Sequence, residues 1–167
     1  MIAPAYARHE AQRLQALRDL LILDTPPEQR FDRIVAFAIE EFEVPMAAIS
    51  LVDEDRQWFK ASHGLPVCQT SRDVSFCGHA ILRSDVMLVP DASLDPRFFD
   101  NPFVQGEPRV RFYAGAPLVL PTGEAVGTLC LFDTRPRQLD RIDLAVLCAL
   151  RDLVVEQLIS AKVAACS

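Results

Sequence analysis

The sequence predicts an α+β fold, in which helices pack on the faces of an antiparallel sheet. Three observations favour it: helical spacing of apolar residues near both ends, short strand-like apolar runs between them, and tight turns that join those runs as hairpins. A chain of 167 residues is long enough to bury a single core. We therefore expect one domain over residues 1–167, with its core from about 10 to 160.

Helices are predicted near both ends of the chain. The first carries an apolar stripe of Leu14, Leu17, Leu20 and Leu21. The second is predicted to begin at Thr25 as N-cap, with Pro26 in its first turn and Glu28 completing a capping box. Pro45 ends this second helix. The third is predicted over residues 139–163, where apolar residues form a nearly heptad-like seam.

The middle of the chain predicts five strands and one short helix. The predicted strands are residues 46–52, 57–63, 87–89, 110–118 and 124–132. The first two are joined by the acidic turn Asp53-Glu54-Asp55, and the last two by Pro121-Thr122-Gly123, so each pair is predicted to form a hairpin. The short helix is predicted over residues 71–83.

The segment from Asp91 to Pro108 has neither a helical nor a strand period, and it contains three prolines. A loop of this length inside a compact domain is either functional or disordered. Three phenylalanines, Phe98, Phe99 and Phe103, argue against disorder because they can anchor the loop to the body of the domain. The sequence therefore predicts a folded lid over a pocket.

Charge and cysteine usage narrow the class of protein. A net charge of −6 and an isoelectric point near 5.0 argue against nucleic-acid binding, which favours a basic surface. Five scattered cysteines without a Cys-x-x-Cys pair indicate a reducing compartment. The sequence predicts no signal peptide and no segment that would enter a membrane. We therefore expect a cytoplasmic protein.

Six blocks of sequence follow one another along the chain. They are LDTPPE at 23–28, VDEDRQWF at 52–59, SFCGHAI at 75–81, DPRF and NP within 95–102, RFYAGAPL at 111–118, and GTLC through Asp133 at 127–133. Together they resemble a GAF domain of the bacterial sensor type over roughly residues 10–160. The resemblance implies a sheet of five or six strands with terminal helices on one face. It also implies a small-molecule pocket on the other face, under the short helix and the long loop.

The candidate ligand-binding residues lie on the elements expected to surround that pocket. They are Trp58, Ser75, Phe76, Cys77, His79, Asp91, Phe98, Phe103, Arg111 and Tyr113. His79 and Ser75 are expected to share one helical face. Arg111 and Tyr113 alternate onto one face of a predicted strand. A half-buried arginine needs an acceptor, so Arg111 either binds an anionic ligand or pairs with an aspartate of the lid (Asp91, Asp95 or Asp100).

The sequence identifies no cofactor. Bilin attachment at Cys77 is disfavoured because Gly78 follows it where related proteins carry histidine, and packing is favoured for this thiol. Haem ligation by His79 is disfavoured against a structural role, and the other histidines do not support a metal site. Cys68 and Cys77 are spaced like one cysteine pair of the free methionine sulfoxide reductases. That activity is disfavoured because the lid region contains no cysteine.

The resemblance implies a non-catalytic sensory domain that binds a small molecule and signals through its terminal helices. The signalling would belong to two-component or cyclic-dinucleotide systems, with a separate histidine kinase or cyclase as output partner. The terminal apolar seams predict a homodimer. Two alternatives remain: a dimerisation or interaction module with an inert pocket, and a thiol-based redox enzyme.

Overall fold

One antiparallel sheet of six strands organises the protein, in the order β3-β2-β1-β6-β5-β4. The computed structural model describes residues 1–166, and the side chains of residues 1–162. The helices are α1 Glu10–Asp19, α2 Gln29–Phe42, α3 Phe76–Ala80, α4 Pro102–Gln105 and α5 Arg141–Cys166. The strands are β1 Met46–Val52, β2 Arg56–His63, β3 Gln69–Ser71, β4 Met87–Val89, β5 Phe112–Val119 and β6 Ala125–Asp133. The predicted α+β class is confirmed.

The two central strands, β1 and β6, are buried on both faces. They pair antiparallel, with Ser50 opposite Thr128 and Ala48 opposite Cys130. Burial on both faces explains why these strands read in the sequence as continuous apolar runs with few polar interruptions. The predicted hairpins are also present, since β2 pairs with β1 and β5 pairs with β6.

The two faces of the sheet carry two separate apolar layers. Helices α1, α2 and α5 cover one face, with Leu17, Phe31 and Leu147 packed against strand residues such as Leu129. The opposite face is covered by α3 and by the residue 91–108 segment, hereafter the lid. Side chains alternate along each strand, so neighbouring residues enter different layers. This alternation decides which predicted site residues lie under the lid.

The start of α2 differs from the predicted capping box. The helix begins at Gln29, and no side chain caps it. Instead the buried Lys60 ammonium donates to Thr25 Oγ1 at 2.7 Å and to the Pro26 carbonyl at 2.6 Å. The same ammonium pairs with Glu28 Oε2 at 2.7 Å. The predicted capping residues therefore hold a lysine of β2, because a buried cation needs several acceptors.

The predicted helix over residues 71–83 is wrong in its extent. Strand β3 ends at Ser71, a single 3-10 turn covers Arg72–Val74, and α3 spans only Phe76–Ala80. Ser75 has extended dihedral angles and separates the two helical turns. Its hydroxyl accepts a hydrogen bond from Gly78 N, which makes it the N-cap of α3.

A carboxylate bridges two buried arginines where α1 meets the sheet. Glu10 Oε1 lies 2.7 Å from Arg13 Nη2 and 2.5 Å from Arg72 Nη1. Arg13 Nη1 also donates to the Val52 carbonyl at 2.7 Å, at the end of β1. Burial raises the pKa of Glu10, but hydrogen bonds and charge from the two arginines outweigh it and bring the pKa to about 2.

Between residues 1 and 166, the helices are all too short or too polar to span a lipid bilayer.

We expect Glu10→Gln to destabilise the protein by about 3 kcal/mol at pH 7, because it leaves two buried guanidinium groups without a counter-charge. The folded-state pKa of Glu10 lies below its ordinary value of 4.5. Its contribution is therefore complete above pH 4.5 and falls as the pH drops toward 2, so the difference between variant and wild type should shrink over that range. Urea unfolding at several pH values measures this.

The matched control is Asp85→Asn, which breaks an exposed pair with Arg83 and should change stability far less than Glu10→Gln, because water screens this pair. If the two variants lose equal stability at pH 7, the buried bridge does not have the role assigned to it.

Candidate functional site

The space between the sheet and the lid is filled by aromatic rings. Phe76 of α3 stacks on Phe98 of the lid, with ring centroids 4.2 Å apart, and on Tyr113 of β5 at 5.1 Å. Phe132 of β6 meets the Tyr113 ring at 5.2 Å, edge to face. The structure therefore brings the candidate residues Phe76, Phe98 and Tyr113 together between the sheet and the lid. These side chains occupy the space that the resemblance assigned to a small-molecule pocket.

The lid is folded and is attached to the rest of the domain by Asn101. This residue is 1% exposed, and its Nδ2 donates to the Val74 carbonyl at 2.9 Å, just before α3. Its Oδ1 accepts from Phe103 N at 2.9 Å and so caps α4. Asp91 caps the lid's other helical turn by accepting from Ser93 N. Each cap is a hydrogen bond between residues two positions apart. Because these bonds form single turns, the segment lacks the repeating apolar pattern of a longer helix or strand.

The three lid phenylalanines have different environments. The stacked rings of Phe76, Phe98, Tyr113 and Phe132 are hereafter called the aromatic layer. Phe98 is 1% exposed and belongs to this layer, and Phe103 is partly buried against it. Phe99 is 49% exposed and lies outside it. Anchoring of the lid therefore depends on two of the three rings.

His79 contacts both the lid and the chain segment that precedes α1. Its ring meets Phe98 edge to face at 5.1 Å, and its Nε2 lies 2.8 Å from the Ile2 carbonyl. Ile2 N in turn donates to the Arg97 carbonyl of the lid at 3.1 Å. Burial lowers the pKa of His79, which keeps the imidazole neutral near pH 7.

Arg111 does not form the predicted pair with a lid aspartate. It precedes β5, and its Nη1 donates to the carbonyl of Val104 at 3.0 Å, in α4. Among the described side chains, Asp91, Asp95 and Asp100 each bond to other groups of the lid or the N-terminal segment. The guanidinium still ties the lid to the sheet, but through carbonyl oxygens.

Trp58 and Ser75 lie outside the layer to which the sequence assigned them. Trp58 is opposite Leu51 in the strand pairing and packs against the helix-covered face. Ser75 is buried, and its hydroxyl caps α3 and donates to the Arg72 carbonyl at 2.7 Å. Because Ser75 lies before the helix, it does not share a helical face with His79.

Cys77 lies at the centre of a buried polar cluster beneath the aromatic layer. Thr128 Oγ1 is 3.0 Å from Cys77 Sγ, Tyr113 OH is 3.2 Å away, and Cys130 Sγ is 3.8 Å away. Burial raises the pKa of the Cys77 thiol, but hydrogen bonds from the surrounding thiol and hydroxyl groups lower it to about 7. Burial and the neighbouring Cys77 raise the pKa of Cys130 well above its usual value.

Sequence reasoning missed several polar residues on the lid-facing side of the sheet. Ser50 Oγ donates to Gln57 Oε1 at 3.1 Å, and Gln57 Nε2 donates to Thr70 Oγ1 at 3.1 Å. Ser50, Gln57 and Thr128 are all buried. The sequence signal for two of them was a polar residue among apolar ones, Ser50 in β1 and Thr128 in β6. Such a residue is unusual because a buried polar group must find a hydrogen-bond partner.

A small cavity of about 30 Å³ lies at one end of this polar row. Gln57 and Thr70 line its polar side, and Phe103, Phe132 and Pro108 line its apolar side. It has room for about one water molecule. The cavity therefore lies between the polar groups of the sheet and the lid.

Within the part of the chain that the structure describes, no three His, Cys, Asp or Glu side chains lie close enough together to hold a metal ion.

The GAF domain family matches residues 26–158 of this chain. This match covers most of the chain, and the chain belongs to the GAF domain family. A protein of Pseudomonas aeruginosa named cyclic di-GMP phosphodiesterase PA2567 is 49% identical over 137 residues. That match covers 82% of this chain but only 23% of the relative, so the chain spans about a quarter of its length.

Two solved structures share the fold at low sequence identity. The GAF domain of an Acinetobacter phosphoenolpyruvate-protein phosphotransferase is 20% identical, with a TM-score of 0.66, over 93% of this chain and 98% of that one. The free methionine-R-sulfoxide reductase of Neisseria meningitidis is 18% identical, with a TM-score of 0.67, over 98% of this chain and 99% of that one. At these identities the likeness supports the fold alone.

We expect Tyr113→Phe to destabilise the protein by about 1 kcal/mol, because it removes one buried hydrogen bond and keeps the stacked ring. It should also raise the pKa of Cys77, since a hydroxyl that stabilises the thiolate is lost. Urea unfolding measures the first effect. The pH dependence of Cys77 alkylation, followed by peptide mass spectrometry, measures the second.

The chain's other tyrosine provides the control, since Tyr6 is 60% exposed and Tyr6→Phe should change neither quantity. An unchanged pH profile in Tyr113→Phe would contradict the assigned hydrogen bond.

Proposed function

We propose that this GAF domain is a regulatory module that binds a small molecule between the sheet and the lid and signals through its terminal helices. The observation that carries the proposal is the hydrogen-bonded row Ser50–Gln57–Thr70, of which Ser50 and Gln57 are buried and Gln57 and Thr70 border the cavity. Buried polar side chains in an apolar layer can orient a ligand by hydrogen bonds while the surrounding rings supply contact area.

The chemistry of this layer favours a planar, uncharged, aromatic ligand with an amide-like edge. The rings of Phe76, Phe98 and Tyr113 offer stacking surfaces. Gln57 offers both a donor and an acceptor. The side chains that line the cavity carry no charge, so an anionic ligand there would lose hydration without gaining a counter-charge. Arg111, the cation predicted to bind an anion, does not line it and donates through Nη1 to the carbonyls of Val104 and Val110.

Binding requires the lid to open. The cavity of about 30 Å³ is roughly a tenth of the smallest ordinary ligand pocket. Phe98 and Phe103 must therefore move outward, and the ligand would stabilise an open state at the expense of the closed one.

The signal would pass from the lid to α1 through Arg72. Asn101 of the lid is bonded to Val74, which belongs to the same 3-10 turn as Arg72. Arg72 in turn contacts the Glu10 carboxylate of α1. A displacement of the lid therefore changes the surroundings of a buried ion pair at the start of the chain's first helix.

The relative from Pseudomonas aeruginosa suggests the output. We propose that the module regulates the turnover of cyclic di-GMP, with catalysis in a separate domain or chain. A regulatory role fits the uncharged lining of the cavity and the polar groups beside it, which bond to one another. A separate histidine kinase is the alternative output partner.

The test is a thermal-shift and calorimetric titration with nucleobases and nucleosides, each compared with its 5′-phosphate. A saturating ligand at about one hundred times its Kd should add about 2.7 kcal/mol of stability, which raises Tm by about 5–10 °C. Gln57→Leu should weaken this binding about tenfold or more, because it removes the amide that orients the ligand.

Gln15→Leu is the matched control, because Gln15 is an exposed glutamine of α1 that bonds only to Asp19. Binding of the phosphorylated compounds but not of the nucleosides would contradict the uncharged site. Equal losses in Gln57→Leu and Gln15→Leu would contradict the role of the polar row.

We also infer that α5 pairs with a second copy of the chain. The apolar seam that predicted a dimer is largely used within the chain, since Leu147, Leu150 and Val154 pack on the sheet. A second stripe lies on the exposed side of α5, where Ile142 is 74% and Leu153 is 45% exposed. Ala145 and Ala149, also exposed, lie between them at helical spacing.

Light scattering at micromolar concentration tests this pairing. The wild type should have twice the mass of one chain, and Leu153→Asp should be a monomer because a charge cannot be buried in an apolar contact without cost. Leu94→Asp is the control, since Leu94 is 80% exposed in the lid and should leave the dimer intact. A monomeric wild type would overturn the inference.

A further inference from the structure

Two buried cysteines from distant parts of the chain meet under the lid. Cys77 of α3 and Cys130 of β6 are both 0% exposed, and their sulfur atoms are 3.8 Å apart. We propose that Cys77 and Cys130 form a reversible disulfide in response to a hydroperoxide, and that this bond loosens the lid. The proposal concerns the same layer as the proposed function but does not require that a small molecule bind there.

The geometry allows the bond with a small movement. A disulfide has a sulfur–sulfur distance of about 2.05 Å, so the two atoms must approach by about 1.8 Å from their separation of 3.8 Å. Cys130 lies on a central strand that is paired on both sides. Cys77 lies on a helix of five residues, which can shift and rotate far more easily than the strand.

The two thiols have different surroundings, which assigns them different roles. The hydroxyls of Thr128 and Tyr113 both face Cys77 Sγ and stabilise its thiolate. Cys130 has the Ala48 carbonyl at 3.5 Å, an acceptor that favours the protonated thiol. Cys77 is therefore the nucleophile, and Cys130 is the resolving cysteine.

The chemistry balances over two steps. The Cys77 thiolate attacks one oxygen of the hydroperoxide, the O–O bond breaks, and hydroxide or alkoxide leaves and takes up a proton, which leaves a sulfenic acid on Cys77. The Cys130 sulfur then attacks the Cys77 sulfur and the S–O bond breaks. Water departs with the Cys130 proton. Two electrons pass from the thiols to the peroxide, and a thiol reductant reverses the change.

Formation of the disulfide would disturb the aromatic layer. Thr128 and Tyr113 would lose the thiolate that accepts their hydrogen bonds, and an unpaired buried hydroxyl is costly. To find another hydrogen-bond acceptor, the Tyr113 hydroxyl would have to move together with its ring, which stacks on Phe76. Phe76 is adjacent to Cys77 and also stacks on Phe98, so movement at the thiols reaches the lid directly.

The decisive measurement uses wild-type protein treated with hydrogen peroxide. Cysteines that stay reduced are alkylated, and peptides are mapped under non-reducing conditions. We expect a peptide pair linked through Cys77 and Cys130, with two hydrogens lost, and its disappearance after reduction. Hydrogen exchange in residues 91–108 should increase on oxidation and return on reduction.

Variants separate the steps. Cys130→Ser should stop the reaction at a sulfenic acid on Cys77, detected as one added oxygen and trapped by dimedone. Cys77→Ser should abolish both products. Asn101→Ala removes the hydrogen bond that holds the lid, so it should speed disulfide formation about tenfold by admitting peroxide to the buried thiol.

The exposed Cys68 supplies the internal control for oxidant dose. Free thiols at both Cys77 and Cys130 under conditions that oxidise Cys68 completely would overturn the proposal. A link from Cys77 to Cys68, or a linked pair with unchanged exchange in the lid, would also overturn it. These outcomes are independent of nucleoside binding, so either proposal can fail without the other.

Discussion

The Glu10 carboxylate, held between Arg13 and Arg72, joins α1, the end of β1 and the segment that leads into α3. Arg13 reaches the end of β1, and Arg72 reaches the carbonyls of the β1–β2 turn and begins the segment that leads into α3. Buried arginines are stable only with acceptors on several sides. The bridge therefore holds α1 against the end of β1 and against the turn that leads into α3 at the same time.

The arrangement of the sheet could be predicted because its cause is local and periodic. Burial on both faces made β1 and β6 continuous apolar runs, and the turns at Asp53–Asp55 and Pro121–Gly123 fixed the hairpins. The errors lie where a long-range contact overrides a local signal. Thr25 and Glu28 have the spacing of a capping box, yet both bond to Lys60, more than thirty residues away.

The candidate site was predicted unevenly for a related reason. Phe76, Phe98 and Tyr113 were identified because large rings beside a predicted lid have few other places to pack. Trp58 was misplaced because strand alternation assigns neighbouring residues to opposite faces, and the sequence alone did not fix which face lies under the lid. Cys130 and Thr128 were missed because their chemistry depends on Cys77, which the sequence places more than fifty residues away.

The lid-side layer is filled by its own side chains, and the proposed sensory role therefore requires that these side chains move apart. The rings of Phe76 and Phe98 satisfy each other when the lid is shut, so the closed state needs no ligand. The polar groups beneath them are also satisfied internally, through Gln57 on one side and Cys77 on the other. A ligand that bonds to Gln57, or a reaction at Cys77, would replace these internal bonds and shift the equilibrium from the closed lid toward the open one. Because α3 is short and directly follows the turn that contains Arg72, the partner of Glu10, it is the element through which the proposed signal would reach α1.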